Sequence, residues 1–284
     1  LSRILCTYLI IAAMVFGLLG CDGENRTNQT DNNTNGASEV IEARNTRTAR
    51  VVTLPTPMQI PALLKNTKAT YSASSLLPII SDDKSYYQSG VLFGMYMLDL
   101  AYSGSFTHQQ ASRNYFRVCK RLGDDLGLGV KITEKYVDRF ERNVSRPDSL
   151  GRIVLEMYDV GHKVLIDQNK EGLGFLMVLG CYMEGMNLIM TQARDHDLIL
   201  FVHLLHQQKN YGNNLLSMLD QYEIPSDIRS EYEAFLHVVS ALNATDIPSV
   251  YELKSGKRTI AGMQEENLDV IKENLESFRK SILI

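Results

Sequence analysis

From about residue 83 to the last residue, apolar side chains recur every three or four positions, in runs of some twenty residues broken by short polar turns. That is the period of helices with one face turned inward. Ala111, Tyr115, Val118, Leu122 and Leu126 make such a face on a helix starting at Thr107, whose hydroxyl forms a capping box with Gln110. Tyr136, Val137, Phe140 and Val144 mark a short helix from Thr133 to Val144, and Ser145-Arg146-Pro147-Asp148 stops it and starts the next. In that next helix Ile153, Val154, Met157, Gly161, Val164 and Leu165 face inward. Further helices are expected from about Asp83 to Ser103, Asp197 to Tyr222, Ser226 to Asn243, and Thr259 to Leu283. The last carries Leu268, Ile271, Leu275, Phe278 and Ile282, a heptad-like stripe suited to docking on the body.

Gly172 to about Arg194 breaks this amphipathic pattern, being apolar on all sides apart from Glu184 and Asn187. Such a helix belongs at the centre of a bundle, and the two polar residues argue against a membrane span. Before residue 83 the chain opens with an extended lead-in through Pro55, Pro57 and Pro61 and one short helix ending near Asn66. No segment alternates with period two, so the expected body, residues 51–284, is a single all-α domain: a multi-helix bundle or an irregular helical-hairpin array. Gly104-Ser105-Phe106 followed by Ala111 resembles the inter-helix turn of tetratricopeptide arrays, with its spacing two residues off and no recurring period.

The first fifty residues read differently. Arg3 precedes an uncharged apolar run from Ile4 that closes on Leu18-Leu19-Gly20-Cys21, the layout of a secretory signal. These residues resemble the lipobox of bacterial lipoproteins. The resemblance implies cleavage after Gly20 and acylation of Cys21, and several acyl chains at about 0.8 kcal/mol per buried methylene would hold the chain in a bilayer. Residues 21–50 are rich in Asn and Thr and poor in large apolar groups, as expected of a flexible tether. Cys21-Asp22-Gly23-Glu24 resembles the export signal of surface lipoproteins in some Gram-negative groups, whereas in others Asp after the Cys retains the protein at the inner membrane. The expected location is the cell envelope, on the periplasmic face or the cell surface. Thr53 to Ala69, Gly90 to Leu128 and Gly172 to Gln192 together resemble an uncharacterised family of helical lipoproteins in Bacteroidota, a likeness that implies no known reaction.

Composition narrows the function classes. With 29 Lys plus Arg against 33 Asp plus Glu, the chain lacks the basic excess of a nucleic-acid binder. A hydrophobic share of 44% argues against wholesale disorder. Of the four cysteines, Cys6 would leave with the signal and Cys21 would carry lipid. Cys119 and Cys181 fall inside apolar helical patterns, where unpaired buried thiols are favoured over a disulfide.

Chemistry-bearing residues are few. Asp99 lies in an apolar helix with Tyr96 and Tyr102 three residues to either side, and Glu184 lies in the central one. A carboxyl group in such surroundings must be paired, hydrogen-bonded or protonated. Asp99, Tyr102 and Glu184 are thus the candidate buried polar site: a network that fixes helix register or, alternatively, an acid–tyrosine pocket of an enzyme. Their spacing does not say whether Asp99 and Glu184 meet. His196, His203 and His206 share one side of a helix without an evident third type of ligand, and Asp159-x-x-His162 is half of a di-iron signature whose other half is missing. Gly172-x-Gly174 lacks the third glycine of a dinucleotide fingerprint, and Asp124 to Gly129 reads as a helix end capped by glycine rather than a calcium loop. No catalytic residue, metal or cofactor is therefore assigned. The leading expectation is a non-enzymatic, membrane-anchored helical module with an unknown protein or small-molecule partner.

Overall fold

A computed structural model describes residues 39–42, 51–67, 69–81, 83–193, 198–241, 250–257 and 265–284. The chain divides into two units, Leu1–Asn35 and Gly36–Ile284, and every described residue belongs to the second. The signal segment, Cys21, most of the tether and His196 lie outside the described residues.

Two short strands come first, β1 (Glu39–Glu42) and β2 (Val51–Leu54), paired antiparallel with Glu39 opposite Leu54. The rest is helical: α1 (Gln59–Lys65), α2 (Tyr86–Ser105), α3 (Gln109–Asp125), α4 (Gly129–Asn143), α5 (Pro147–Asp167), α6 (Glu171–Leu188), α7 (Leu198–Met218), α8 (Ser226–Ala241), α9 (Val250–Lys254) and α10 (Glu265–Leu283). The fold is an all-α array, as the periodicity indicates. Tyr115, Val118, Leu122 and Leu126 are buried along α3, and the whole stripe from Leu268 to Ile282 is buried along α10.

At the centre α2 lies against α6, with α3 and α5 also packed on α2. Both central helices are buried almost end to end, which is why neither shows an amphipathic stripe. By length and composition Glu171–Gln192 would span a bilayer, but 94% of its apolar window is buried within this fold. Two glycines set the crossing. A Cβ on Gly94 would stand 1.9 Å from the Met177 carbonyl oxygen, and one on Gly180 would stand 2.1 Å from that of Val91. The backbones touch where any side chain would hold them apart.

Among the described residues, the ends of α2, α3 and α5 close in the same way, with a left-handed residue just past the helix and the paired backbone bonds of a Schellman cap. After α3 that residue is Gly127 and after α5 it is Asn169, residue types that adopt this conformation readily. After α2 it is Thr107, at φ 61, with His108 N–H donating to Ser103 O and Thr107 N–H to Gly104 O. This corrects the expected capping box. Thr107 ends α2 instead of starting α3, its hydroxyl donates to Phe106 O, and the residue preceding α3 is His108, which makes no side-chain cap. The capping box lies one helix earlier, where Ser85 and Gln88 cap α2.

Candidate functional site

Between α1 and α2 the described residues have no regular structure apart from a 3-10 turn at Ala73–Ser75. Residues 69–81 form a strap along the core, with Leu76 and Leu77 buried and Ile79 43% exposed. A segment of this kind has no helical or sheet ladder for its main chain, so its N–H and C=O groups need other partners. Side chains of the helices supply them.

Tyr102 on α2 accepts from Ser72 N–H at 3.1 Å and donates to Thr70 O at 3.4 Å. Nearly two turns earlier, Tyr96 donates to Pro78 O at 2.8 Å and accepts from Ile80 N–H at 3.3 Å. Tyr115 on α3 donates to Leu77 O at 3.0 Å, and Arg121 donates to Ile80 O at 2.8 Å. Asp99 Oδ2 accepts from Leu77 N–H at 3.0 Å. From α6, Asn187 Nδ2 donates to Ser75 O at 2.7 Å, and Gln192, in the π turn that follows, donates to Ser75 Oγ at 2.7 Å.

The strap thus passes over a charged centre. Asp99 and Glu184, both 0% exposed, stand close enough for each to act on the other's carboxyl. Glu184 Oε1 also accepts from Arg279 Nη1 of α10 at 2.5 Å and from Asn187 Nδ2 at 3.2 Å. Arg279 reaches Ser75 O as well, at 3.4 Å, and its side chain is 13% exposed. Asp99 Oδ1 and Glu184 Oε2 have no hydrogen-bond partner among the described residues. Two buried carboxylates beside a single cation repel each other, which favours a proton on the pair. Burial pushes the Asp99 carboxyl well up, and the neighbouring Glu184 charge pushes it further. Burial also raises Glu184, to about 6, while Arg279 pulls it back down. Both shifts run toward the protonated form, and Glu184 is the carboxyl that meets Arg279. With one proton on the pair, acid, carboxylate and guanidinium together carry no net charge.

Of the three residues singled out from the sequence, the structure brings Asp99 and Glu184 together and gives Tyr102 a separate task on the strap. Asn187 and Arg279 complete the centre and were missed. A signal for Arg279 existed: it lies four residues after Leu275 and three before Ile282, on the buried stripe of α10. Among the described residues no three His, Cys, Asp or Glu side chains gather where a metal ion could be held. His203 is exposed, and His162 is buried against Gly174 while Asp159 is exposed. Cys119 and Cys181 are buried and not joined in a disulfide.

Fold and site together define a helical array whose central polar groups are bound to its own main chain. Compared with family models, with curated proteins and with solved structures, the chain has no match.

Proposed function

We propose that this chain is a membrane-anchored lipoprotein of the cell envelope, whose helical body binds a protein or small-molecule partner without chemically transforming it. The anchoring half of the reading rests on Arg3, the apolar run and Leu18-Leu19-Gly20-Cys21, where the acylated sulfur of Cys21 would enter the bilayer. The binding half rests on one observation: Asp99 and Glu184 are 0% exposed, so the two carboxyl oxygens without a hydrogen-bond partner, Asp99 Oδ1 and Glu184 Oε2, are closed to a substrate. A general acid or base must present a proton or lone pair to a substrate. Burial denies both carboxyls that access, which weighs against an enzyme built on these residues.

The test is to express the full chain and its Cys21→Ala variant in a bacterial host with a clickable fatty acid in the medium. The wild-type chain should incorporate the label and sediment with envelope membranes, and the variant should do neither. Equal labelling and fractionation of both would contradict the anchoring. For the binding half, Asp99→Asn and Glu184→Gln should leave unchanged the set of envelope components crosslinked to the body, provided the variants remain folded.

A further inference from the structure

We propose that Thr56, Gln207 and Gln208, gathered where the chain between β2 and α1 meets α7, form a binding site for a small neutral molecule rich in hydroxyl groups, such as a polyol or a single sugar ring. The inference gives a ligand class to the binding half of the proposed function and stands without the anchoring half. Its failure would leave a protein partner, read by crosslinking, untouched.

The inner face of α7 is apolar, with Leu204, Leu205 and Leu215 at 0% exposure. Gln208 interrupts that face. It is buried, and neither its amide oxygen nor its amide nitrogen has a hydrogen-bond partner among the described residues. The helix cannot roll to bring the amide out. Tyr182 of α6 donates to Gln208 O at 3.0 Å, and a Cβ on Gly212, one turn further on, would stand 2.8 Å from the same hydroxyl. A primary amide offers two donors and two lone pairs, and buried polar groups are nearly always bonded. Keeping one unbonded within an apolar face sacrifices stability, and such local breaches of the folding rules mark functional positions.

The neighbours give the site its chemistry. Gln207 and Gln208 lie one turn before Tyr211, to either side of it. Gln207 Nε2 donates to Tyr211 OH at 3.3 Å, Gln59 Nε2 donates to the same hydroxyl at 3.2 Å, and Gln59 Oε1 accepts from Thr56 N–H at 3.4 Å. This chain of bonds brings the segment before α1 onto α7. It leaves Gln207 Oε1 and Thr56 Oγ1 buried and without partners among the described residues. The unused set therefore mixes donors, from the Gln208 amide and the Thr56 hydroxyl, with acceptors on all three residues. No charged side chain shares in these bonds, so an ionic ligand would meet no countercharge. A hydroxyl group donates and accepts at once, which is what a mixed, neutral set requires. Gln59 and Gln207 are half-buried, so the network reaches the surface there, on the side from which a ligand enters.

The test is thermal denaturation of the full chain, of Gln208→Met and of Thr56→Val, alone and with glycerol, glucose or N-acetylglucosamine at millimolar concentration. Without a probe both variants should melt above the wild type, Gln208→Met by roughly 2–4 °C, because unbonded polar groups give way to apolar ones of similar size. With a probe, wild-type melting should rise to a plateau for at least one of the three. That rise should vanish in Gln208→Met and shrink in Thr56→Val, and either variant alone suffices for the comparison. A wild-type chain shifted by none of the three would overturn the proposal. So would a shift of equal size in wild type and variant, which marks a general solvent effect. Variants that melt below the wild type without a probe would overturn it too, since the amide and the hydroxyl would then already be bonded inside the fold.

Discussion

Replacing Gly94 by alanine tests the α2–α6 crossing on which the whole array is built. In an exposed helix this change stabilises by about 1 kcal/mol, because glycine is the poorer helix former. Here the new Cβ would stand 1.9 Å from Met177 O and 2.9 Å from Cys181 N, both backbone atoms. Non-bonded carbon needs roughly 3.5 Å, so the helices must separate by about 1.5 Å at that point. A gap of about 0.5–1 Å already forfeits a quarter to a half of each dispersion contact, and a buried leucine makes 40–60 contacts of about 0.1–0.2 kcal/mol. Loss on that scale, partly recovered by repacking and by alanine's propensity, leaves a destabilisation of about 3 kcal/mol or more. Gly90→Ala is the control. Its Cβ meets Leu173 Cδ2 at 3.2 Å, the end of a flexible side chain, so it should stay within about 1 kcal/mol of wild type. Urea titrations followed by far-ultraviolet circular dichroism measure both. A Gly94→Ala protein as stable as wild type would refute the crossing.

Other outcomes follow from the same contacts. Thr107→Gly should stabilise the chain by roughly 1 kcal/mol, since a β-branched residue at φ 61 is held in a strained conformation that glycine adopts freely; thermal melts would show it, and a loss of stability would count against the cap. Arg279→Ala leaves a carboxylate at 0% exposure without its cation and should cost about 3–5 kcal/mol. The double change Arg279→Met with Glu184→Leu should cost less than the single one, which denaturant titration can rank. Cys119 and Cys181, both buried, should react with a thiol reagent only as fast as the protein unfolds; rapid labelling of the native chain would place at least one of them at the surface.

Much of the fold is legible in the sequence because burial on one helix face imposes its period on the residues. The stripes of α3, α5 and α10 are read correctly for that reason. What periodicity cannot supply is the conformation of a single junction residue. Ser85-x-x-Gln88 and Thr107-x-x-Gln110 have the same pattern, yet the first opens a helix and the second follows one that has just closed. Likewise the start of α4 at Gly129 precedes the expected Thr133, since the chain turns directly out of the Gly127 cap into the next helix.

The site divides along the same line. Carboxyls inside apolar helices announce that Asp99 and Glu184 need partners, but not which ones. Their meeting depends on the α2–α6 crossing, set by Gly94 and Gly180, and the cation comes from the last helix. The strap left no periodic trace, because its main chain is satisfied by tyrosine, asparagine and arginine side chains distant in sequence.

The central claim is that Asp99 and Glu184, buried together beside one cation, do not both ionise, and that Asp99 keeps its proton at neutral pH. Infrared spectroscopy of the folded chain at pH 7 reads this directly through the carbonyl stretch of an un-ionised carboxylic acid. One such band is expected in the wild-type chain and none in Asp99→Asn. A wild-type spectrum without the band, or a band that survives the substitution, would contradict the claim.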